Sequence, residues 1–311
     1  MNVLIIGGTR FIGAAVVRRL FELGHELTLL HRGITEQPAA RGVRHHHGDR
    51  STPGELEAAV AASEPDVVLD MVAFTEHEAE QATRVLAGRV PRAVVASSLD
   101  VYRAYERFAG LAPGPPEPTP LDEEAPLGES RYPRRSRSIS SGERQEYDKV
   151  LVERAYRRAD ELPVTVLRLP FVYGPGDYRR RVGQLLGRME RAEVITLSAA
   201  EAAWSATRGY VENVAAAAAL ALTDPRTAGR TYNLGERSAL TTAEWARHVA
   251  RAAGWAGEVQ VEADGGPALG SWTQDLVLDT SRLRRELGFE EPVALDEALR
   301  RTVEWERRVP G

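Results

Sequence analysis

Residues 2–13 read NVLIIGGTRFIG, in which a run of aliphatic residues leads directly into a glycine-rich turn. From Phe11 the apolar residues recur at helical spacing as far as Gly24. A glycine-rich turn between a strand and the start of a helix lets backbone N–H groups approach a pyrophosphate closely. This stretch therefore predicts a strand, a turn and a helix that together bind a dinucleotide.

The N-terminal half continues to alternate short apolar runs with helical patterns. These runs predict strands at 26–30, 43–46, 66–70 and 92–96, with helices at about 54–62 and 76–87. Right-handed crossovers place successive strands of this kind in one parallel sheet. The predicted fold class is α/β, with a doubly wound parallel Rossmann sheet and a smaller C-terminal substrate lobe.

The second half of the chain indicates how the two parts divide. We expect residues 1–170 and about 205–236 to form the dinucleotide-binding Rossmann domain. The smaller lobe would then comprise about 171–204 and 237–311. Strands are predicted at 164–169 and 231–234, and helices at about 143–160, 181–191, 211–222, 243–253 and 295–307. Prolines crowd residues 107–141, which predicts a long loop and a candidate lid over the site.

Composition excludes several classes of protein and of site. The absence of cysteine excludes disulfides, thiolate zinc sites and cysteine nucleophiles. A formal net charge of −5 argues against a generic nucleic-acid binder. No apolar run reaches the length of a membrane span, and the first residues do not resemble a secretory leader. We expect a cytoplasmic protein whose partner is a small molecule rather than a nucleic acid or a membrane.

The basic residues single out one position. The chain has 40 lysines and arginines, and all but Lys149 are arginine. Arginine suffices where a solvated positive charge is needed, whereas a compact ammonium with a tunable pKa requires lysine. Lys149 is therefore a candidate for chemistry, the alternative being that one lysine survived by chance.

The end of the second predicted strand bears on the choice of cofactor. His31-Arg32 stands close to where a site that prefers NAD places an acidic residue on the ribose hydroxyls. Arg32, together with Arg10, is suited to clamp a 2′-phosphate. NADP(H) is therefore favoured and NAD(H) is the alternative. Two ordinary surface arginines in an arginine-rich chain would explain the same residues.

Three consecutive histidines, His45-His46-His47, suggest a metal site at first sight. Adjacent residues of a strand point alternately to opposite faces, so the three cannot easily bind one ion. We expect no metal.

Several later motifs agree with one family. They are Gly48-Asp49, the SSLDVY run at 97–102, the segment from Arg168 to Pro175, RGYVE at 208–212, TYNLG at 231–235 and the stretch 279–289. With the glycine turn, they resemble the extended short-chain dehydrogenase/reductases, the NAD-dependent epimerase/dehydratase family, over nearly the whole chain. The turn GGTRFIG is similar to an atypical branch that includes the chloroplast stem-loop-binding proteins. The resemblance implies cofactor contacts from Gly7, Thr9, Arg10, Phe11, Ile12, Gly13, Arg32, Asp49, Arg50, Met71, Val72, Ala73, Ser97, Lys149 and Pro170.

The family resemblance also implies a catalytic pattern, YxxxK, with a serine or threonine from the SSxxVY strand end. Lys149 matches the lysine, which would hold the nicotinamide ribose, and Ser98 matches the hydroxyl that orients the substrate oxygen. The tyrosine position is Gln145, which cannot supply a proton at neutral pH. Tyr147 lies nearby, but on a regular helix it would point nearly opposite to Lys149. It can therefore serve only if the helix begins late or is distorted.

Four further residues are candidates for substrate binding. Asp100 follows Ser98 by two positions on the same side of the strand, as an acid, a base or a cap of the next turn. Tyr102 is offered by the same strand end. The resemblance implies that Phe171 stands where many nucleotide-sugar enzymes have asparagine, and that Arg208 is a phosphate-binding arginine. The substrate is therefore expected to be polar or anionic.

Together these features predict an NAD(P)-dependent oxidoreductase, epimerase or dehydratase that acts on a hydroxyl or carbonyl carbon of a sugar-like molecule. Nucleotide sugars are candidates for this substrate. Because the usual tyrosine is missing, the alternative is a non-catalytic NADP(H)-binding regulator or an RNA-binding protein of the atypical branch. The resemblance implies a homodimer through the helices near 76–88 and 143–160.

Overall fold

The computed structural model describes residues 1–35, 42–135, 145–262 and 272–309. The strands are β1 (Asn2–Ile6), β2 (Glu26–His31), β3 (Arg44–His47), β4 (Val67–Asp70), β5 (Ala93–Ser98), β6 (Val164–Leu169), β7 (Phe171–Tyr173), β8 (Val194–Ser198), β9 (Ser205–Ala206), β10 (Arg208–Tyr210), β11 (Thr231–Asn233), β12 (Leu240–Thr241) and β13 (Glu258–Glu262). The helices are α1 (Phe11–Glu22), α2 (Glu55–Ser63), α3 (Glu76–Leu86), α4 (Arg103–Phe108), α5 (Lys149–Arg157), α6 (Arg181–Met189), α7 (Ala199–Ala203), α8 (Val211–Thr223), α9 (Thr242–Ala253), α10 (Ser281–Leu287) and α11 (Leu295–Arg308).

The central element is a seven-stranded sheet in the order β3-β2-β1-β4-β5-β6-β11, with every pair of neighbours parallel. The chain leaves β1 toward β2 on one side and later returns to β4 on the other. In open sheets of this kind, ligands bind outside the carboxyl ends of the strands at that switch point. The predicted doubly wound Rossmann sheet is confirmed.

Both faces of the sheet are buried because successive residues of a strand point to opposite sides. Val3 and Ile5 of β1 belong to an apolar cluster with α1 and α8. Leu4 and Ile6 belong to a second cluster with α2, α3 and α5. Alternate residues of β1 therefore hold helices on both faces, which fixes the carboxyl end of β1 and the glycine turn that follows it.

The remaining strands lie outside the main sheet and form three pairs. β7 pairs with β10 and β8 with β13, both in parallel, whereas β9 pairs with β12 in an antiparallel arrangement. Sequence periodicity predicted none of these six strands, because they are only two to five residues long. Within the described residues, no helix combines the length and the apolarity needed to cross a membrane.

The proline-rich segment is a loop as far as the structure describes it. Residues 109–135 contain turns and isolated bridges but no helix or longer strand, and residues 136–141 of the predicted loop lie outside the described residues. The short helix α4 before the loop was not predicted. Glu106 at its end is buried and accepts the backbone N–H groups of Glu129 and Ser130 at 3.2 and 2.7 Å. The carboxylate therefore anchors the loop to the core.

The helix predicted at 143–160 begins later than expected. Residues 143 and 144 lie outside the described residues, residues 145–148 are not helical, and α5 starts at Lys149. Asp148 is the N-cap, and its Oδ1 accepts the backbone N–H of Leu151 at 3.0 Å. Aspartate favours this position because its carboxylate satisfies an amide of the first turn. The late start changes where Tyr147 points.

Candidate active site

The glycine turn lies between β1 and α1, as predicted from the sequence. Gly7 and Gly8 have φ values of 95° and 86°, a region that favours glycine. A Cβ on Gly13 would lie 2.8 Å from the Cα of Gly8, so helix and turn pack too closely for a side chain. Arg10, the N-cap, gives the first turn of α1 no side-chain hydrogen bond within the described part of the chain. The amides are therefore available to a pyrophosphate.

One aromatic side chain lies over this turn. The ring of Tyr178 is 64 % exposed, and the Arg10 guanidinium carbon stands 5.3 Å from its centroid. Phe11 contacts the same ring edge-on, with 6.3 Å between the centroids. Thr9 forms a hydroxyl contact of 2.9 Å with Thr35. The side chains of Thr9, Arg10 and Phe11 therefore gather at the mouth of the turn, and both Phe11 and Ile12 also pack against the core.

The opposite end of the expected cofactor site is formed by the carboxyl ends of β2 and β3. Arg32 directly follows β2 and is exposed. Asp49 is half-buried, and its Oδ1 accepts both the N–H and the hydroxyl of Ser51. The predicted cofactor residue Arg50 is placed differently: its guanidinium donates to Asp70 at 2.7 Å and to the carbonyl of Glu78 at 2.8 Å. We assign Arg50 to holding β4 and α3 together rather than to direct cofactor contact.

The histidine run alternates as expected, but a histidine of β2 joins it. His45 and His47 share one face of β3, where ring atoms of both lie within 4.8 Å of His31, whereas His46 meets Glu55 on the other face. His31 Nδ1 accepts the N–H of Gly33, so its Nε2 carries the proton and donates to His45 at 2.7 Å. A metal-bound imidazole donates its second nitrogen's proton instead. This geometry favours a hydrogen-bonded cluster of edge-on imidazoles over an ion site.

The residues after β4 come close to the glycine turn. A Cβ on Gly7 would meet Val72 at 2.8 Å and Met71 at 3.6 Å, and Ala73 is fully buried. Asp70, the last residue of β4, accepts from Arg50, from the hydroxyl of Tyr156 and from the N–H of Val72. Asp70 and Tyr156 were not predicted as site residues. An acid at a strand end and a tyrosine on a helix are both common, and only the contact between them indicates a role.

Lys149, the predicted catalytic and cofactor-binding lysine, lies at the carboxyl ends of β4 and β5. Its Nζ donates to the carbonyls of Ala73 and Ala96 at 2.7 and 2.6 Å, and the side chain is buried. Burial lowers the pKa of Lys149 to about 8, although nearby carboxylates oppose the change. The ammonium is thus held beneath the site by two backbone carbonyls.

The late start of α5 removes the geometric objection to Tyr147. Because Tyr147 precedes the N-cap, the helical spacing that would have turned it away from Lys149 does not apply. Its hydroxyl donates to Oδ2 of Asp100 at 2.6 Å, and its ring stacks on Phe74 with 6.2 Å between centroids. Gln145, at the family's tyrosine position, is exposed. The structure therefore brings Tyr147, and not Gln145, to Asp100 and Lys149.

Asp100, Tyr147 and Lys149 form what we call the Asp100 group, and Asp100 is its acid. Oδ2 receives the tyrosine hydroxyl, whereas Oδ1 is buried and has no hydrogen-bond partner among the described residues. Burial raises the pKa of Asp100, while Tyr147, Lys149 and Arg134 act in the opposite direction. Burial and the neighbouring carboxylate raise the pKa of Tyr147 well above its usual value. Asp100 borders a small cavity also lined by Tyr105 and Ser130, and an unpaired buried carboxylate oxygen marks a candidate acid–base group.

The two serines of the strand end have different surroundings. Ser98 is half-buried, and its Oγ accepts the N–H of Asp100 at 3.4 Å, which caps the short 3-10 turn after β5. Ser97 is buried, and its hydroxyl donates to Glu153 at 2.6 Å. Ser98 therefore lies with the Asp100 group. Ser97, predicted as a cofactor contact, has its hydroxyl committed to the interior.

Tyr102 is also enclosed. It is 0 % exposed, and its hydroxyl donates to Asn233 at 2.6 Å and accepts from Arg168 at 3.0 Å. The guanidinium of Arg168 also donates to both carboxylate oxygens of Glu153, at 3.0 and 2.8 Å. This buried network gives the motif residues Tyr102 and Arg168 a structural role in the interior. We assign Tyr102 to the core, a correction of its predicted role in substrate binding.

The remaining predicted residues lie after β6. Pro170 connects β6 to β7, and Phe171 contacts Trp204 edge-on at 6.2 Å. The guanidinium of Arg208 donates to the carbonyls of Ala206 and Leu240 and stands 4.6 Å from the Trp245 ring. Burial lowers the pKa of Arg208 to about 10. Phe171 and Arg208 thus belong to the smaller sheets rather than to the Asp100 group.

Comparisons with known proteins identify the family of the chain. The model of the NAD dependent epimerase/dehydratase family matches residues 3–235. The 2′-dehydrokanamycin reductase of Streptomyces kanamyceticus is 32 % identical over 123 residues, which are 40 % of this chain and 32 % of that protein. The match thus spans about a third of the length of that curated relative.

Solved structures share the fold over the full length. The UDP-glucose 4-epimerase of Thermus thermophilus, in complex with NAD, is 24 % identical with a TM-score of 0.72 and 100 % of both chains covered. The dTDP-glucose 4,6-dehydratase of Bacillus anthracis, in complex with NAD, is 17 % identical with a TM-score of 0.72, covering 99 % of this chain and 97 % of the other. The matched family model, the parallel sheet and the glycine turn lead to one conclusion: the chain belongs to the NAD dependent epimerase/dehydratase family.

Proposed function

We propose that the enzyme carries out hydride transfer at a hydroxyl or carbonyl carbon of a sugar-like substrate, with Asp100 as its acid–base group and Tyr147 as the hydrogen-bond donor that positions Asp100. The observation that carries this proposal is the 2.6 Å hydrogen bond from Tyr147 to Asp100 beside the buried Lys149. The relatives are named for glucose nucleotides and for 2′-dehydrokanamycin, which supports a sugar-like substrate and includes nucleotide sugars as candidates.

The protein's part of the chemistry is to move one proton. A bound nicotinamide supplies the acceptor or the donor of the hydride. In oxidation, the substrate hydroxyl gives its proton to Oδ1 of Asp100 as the hydride leaves its carbon with the bonding electron pair. In reduction, protonated Asp100 returns that proton to the new alkoxide. Ser98 orients the reacting oxygen from the adjacent strand end.

The pKa directions favour Asp100 over Tyr147 as the group that changes protonation. Burial and the adjacent carboxylate raise the pKa of Tyr147 well above 10, so the phenol keeps its proton over the physiological range. Burial raises the pKa of Asp100 toward that range. A general acid or base works best when its pKa lies near the operating pH. Tyr147 then holds the carboxylate in place and stabilises its charge.

The test of this proposal is Lys149→Met, which removes the ammonium and keeps most of the side-chain volume. We expect NADPH to bind about tenfold more weakly, because a charged hydrogen bond is lost, and turnover to fall roughly a hundredfold. Binding is measured by fluorescence titration. Turnover is measured with UDP- and dTDP-hexoses and keto-aminoglycosides, by nicotinamide absorbance and product chromatography.

The matched control is Arg158→Met, which removes an exposed cation just after the same helix. Its binding and turnover should equal those of the wild type. If Lys149→Met behaves like this control in both measurements, the assignment of the site fails.

NADP(H) preference is a further part of the proposal, supported by the exposed Arg32 at the end of β2. His47 lies beside Gly33, where a Cβ would stand 3.4 Å from its ring, so imidazole and guanidinium occur at the same sheet end. The family name and the cofactor in the solved relatives are NAD, which makes NAD(H) the alternative. The preference therefore depends on Arg32.

We expect Arg32→Asp to weaken NADPH binding at least tenfold and to leave NADH binding unchanged or stronger. The new carboxylate repels a 2′-phosphate and accepts hydrogen bonds from ribose hydroxyls. The ratio of the two Kd values from fluorescence titration is the measurement, with Arg19→Gln on α1 as the control. An unchanged ratio would show that Arg32 does not choose the cofactor.

The alternative of a non-catalytic regulator or RNA-binding protein depended on the missing tyrosine at Gln145. The Tyr147–Asp100 contact removes that ground, because an acid–base group is present two positions later. The family name, which is that of an epimerase and dehydratase, also favours the enzyme over this alternative.

Three features of the whole molecule complete the proposal. Residues 1–170 and about 205–236 bind the dinucleotide, about 171–204 and 237–311 bind the substrate, and the loop at 107–141 covers the site. The enzyme is a homodimer that pairs through α3 and α5. Exposed residues of these helices include Glu80, Arg84 and Arg157, so such an interface would be largely polar. The protein is cytoplasmic, and its ligands are polar small molecules rather than nucleic acids.

A further inference from the structure

Arg134 is placed at the acid–base group by the loop that follows α4. Its guanidinium carbon stands 3.6 Å from the centroid of the Tyr147 ring, which makes a cation–π contact. The hydroxyl of the same ring donates to Asp100. The Tyr147 ring also stacks on Phe74, and the Nζ of Lys149 lies 4.8 Å from the Phe74 centroid. Arg134 and Lys149 thus each contact one of two stacked rings, and the hydroxyl of one ring reaches Asp100.

The turn that carries Arg134 is fixed to the start of α5. Asp148 is buried and divides its carboxylate between Leu151, which it caps, and the N–H of Tyr132 at 3.1 Å. Next to Arg134, Arg135 lies 3.9 Å from the Tyr132 ring and pairs with the exposed Glu146 at 3.6 Å. The carboxylate that starts the catalytic helix therefore also fixes the turn from which Arg134 reaches Tyr147.

We propose that Arg134 is a positioning residue of the reaction, which holds Tyr147 over Asp100 and favours the ionised form of the Asp100 carboxylate. The inference depends on the proposed role of Asp100. A guanidinium against an aromatic face interacts strongly when partly desolvated, and Arg134 is half-buried. The positive charge of Arg134 favours the carboxylate form of Asp100 over the carboxylic acid.

The direction of the expected effect follows from the groups that face Asp100. Burial raises its pKa, and Tyr147, Lys149, Arg134 and Ser98 lower it. Removing Arg134 takes away one of the lowering contributions, so the carboxyl should titrate at higher pH. Oxidation needs the ionised carboxylate. The acidic limb of its pH–rate profile should therefore move to higher pH.

The experiment compares Arg134→Gln with Arg134→Lys and Arg135→Gln. At a pH on the acidic limb, we expect Arg134→Gln to oxidise substrate roughly tenfold more slowly than the wild type, with the difference closing at higher pH. Arg134→Lys should recover part of the rate because it keeps the charge. Arg135→Gln, which makes the same charge change in the same turn away from Tyr147, should not move the limb.

A second readout needs no substrate. The carboxyl carbon of Asp100, assigned by its disappearance from the ¹³C spectrum of Asp100→Asn, should titrate at higher pH in Arg134→Gln than in the wild type. An unchanged titration and an unmoved limb, while Asp100→Asn still abolishes turnover, would overturn the role of Arg134 alone. Full turnover in Asp100→Asn would instead overturn the proposed function.

Discussion

We expect Asp100→Asn to lower turnover about 10²- to 10⁴-fold, the range typical for the loss of a general acid–base group. Asparagine has nearly the same shape as aspartate and can still accept the hydroxyl of Tyr147, but it cannot take up a proton at neutral pH. The loss should therefore appear in kcat, with NADPH affinity and Tm close to those of the wild type. Turnover is measured on a substrate selected from the nucleotide-hexose and keto-aminoglycoside panel.

Two variants show whether this loss comes from proton transfer. Asp122→Asn makes the same chemical change at an exposed position of the proline-rich loop and should leave kcat unchanged. Tyr147→Phe removes only the hydrogen bond to Oδ2 and should cost less than Asp100→Asn. If Tyr147→Phe abolishes turnover while Asp100→Asn retains it, the tyrosine is the proton donor and our assignment is reversed.

Arg168→Met should destabilise the protein by about 3–5 kcal/mol, the cost of breaking a buried ion pair on one side. Arg168 is 1 % exposed, and its guanidinium contacts both carboxylate oxygens of Glu153, the hydroxyl of Tyr102 and the carbonyl of Glu123. Methionine replaces the volume but leaves the Glu153 carboxylate buried without its main cation. Urea unfolding followed by circular dichroism measures the free energy.

The control is Arg157→Met, which also removes a cation from Glu153. Arg157 stands 3.4 Å from that carboxylate, but its side chain is 48 % exposed. Such partly solvated pairs contribute about 0–1 kcal/mol, so the two variants should differ by several-fold in their effect. An Arg168→Met protein as stable as Arg157→Met would show that the buried network contributes little to the fold.

The same network shows why some motif residues were assigned the wrong role. Ser97 and Tyr102 were predicted to contact the cofactor and the substrate, respectively, because they belong to the strand-end motif. Both hydroxyls point into the interior, toward Glu153 and Asn233. A motif indicates that residues act together, but it does not separate those that support a site from those that face it.

Tyr147 illustrates the converse. From spacing alone, it could serve only with a late or distorted helix, and the helix does begin late, at Lys149. The reason is local, since Asp148 caps the first turn. An aspartate immediately before Lys149 was therefore the available signal. Arg134 carried no such signal, because it reaches Tyr147 from 13 residues earlier through a loop without periodicity.

Local sequence patterns were sufficient to predict the parallel sheet and the glycine turn. These features depend on apolar periodicity and on residue types that only certain backbone geometries accept. The three-dimensional structure was needed to show that Arg50 and Tyr102 are internal, that His31 joins the β3 histidines, and that Asp100, Tyr147 and Arg134 meet. Those relations depend on contacts between segments distant in sequence, and local spacing does not show which side chains face each other across such a gap.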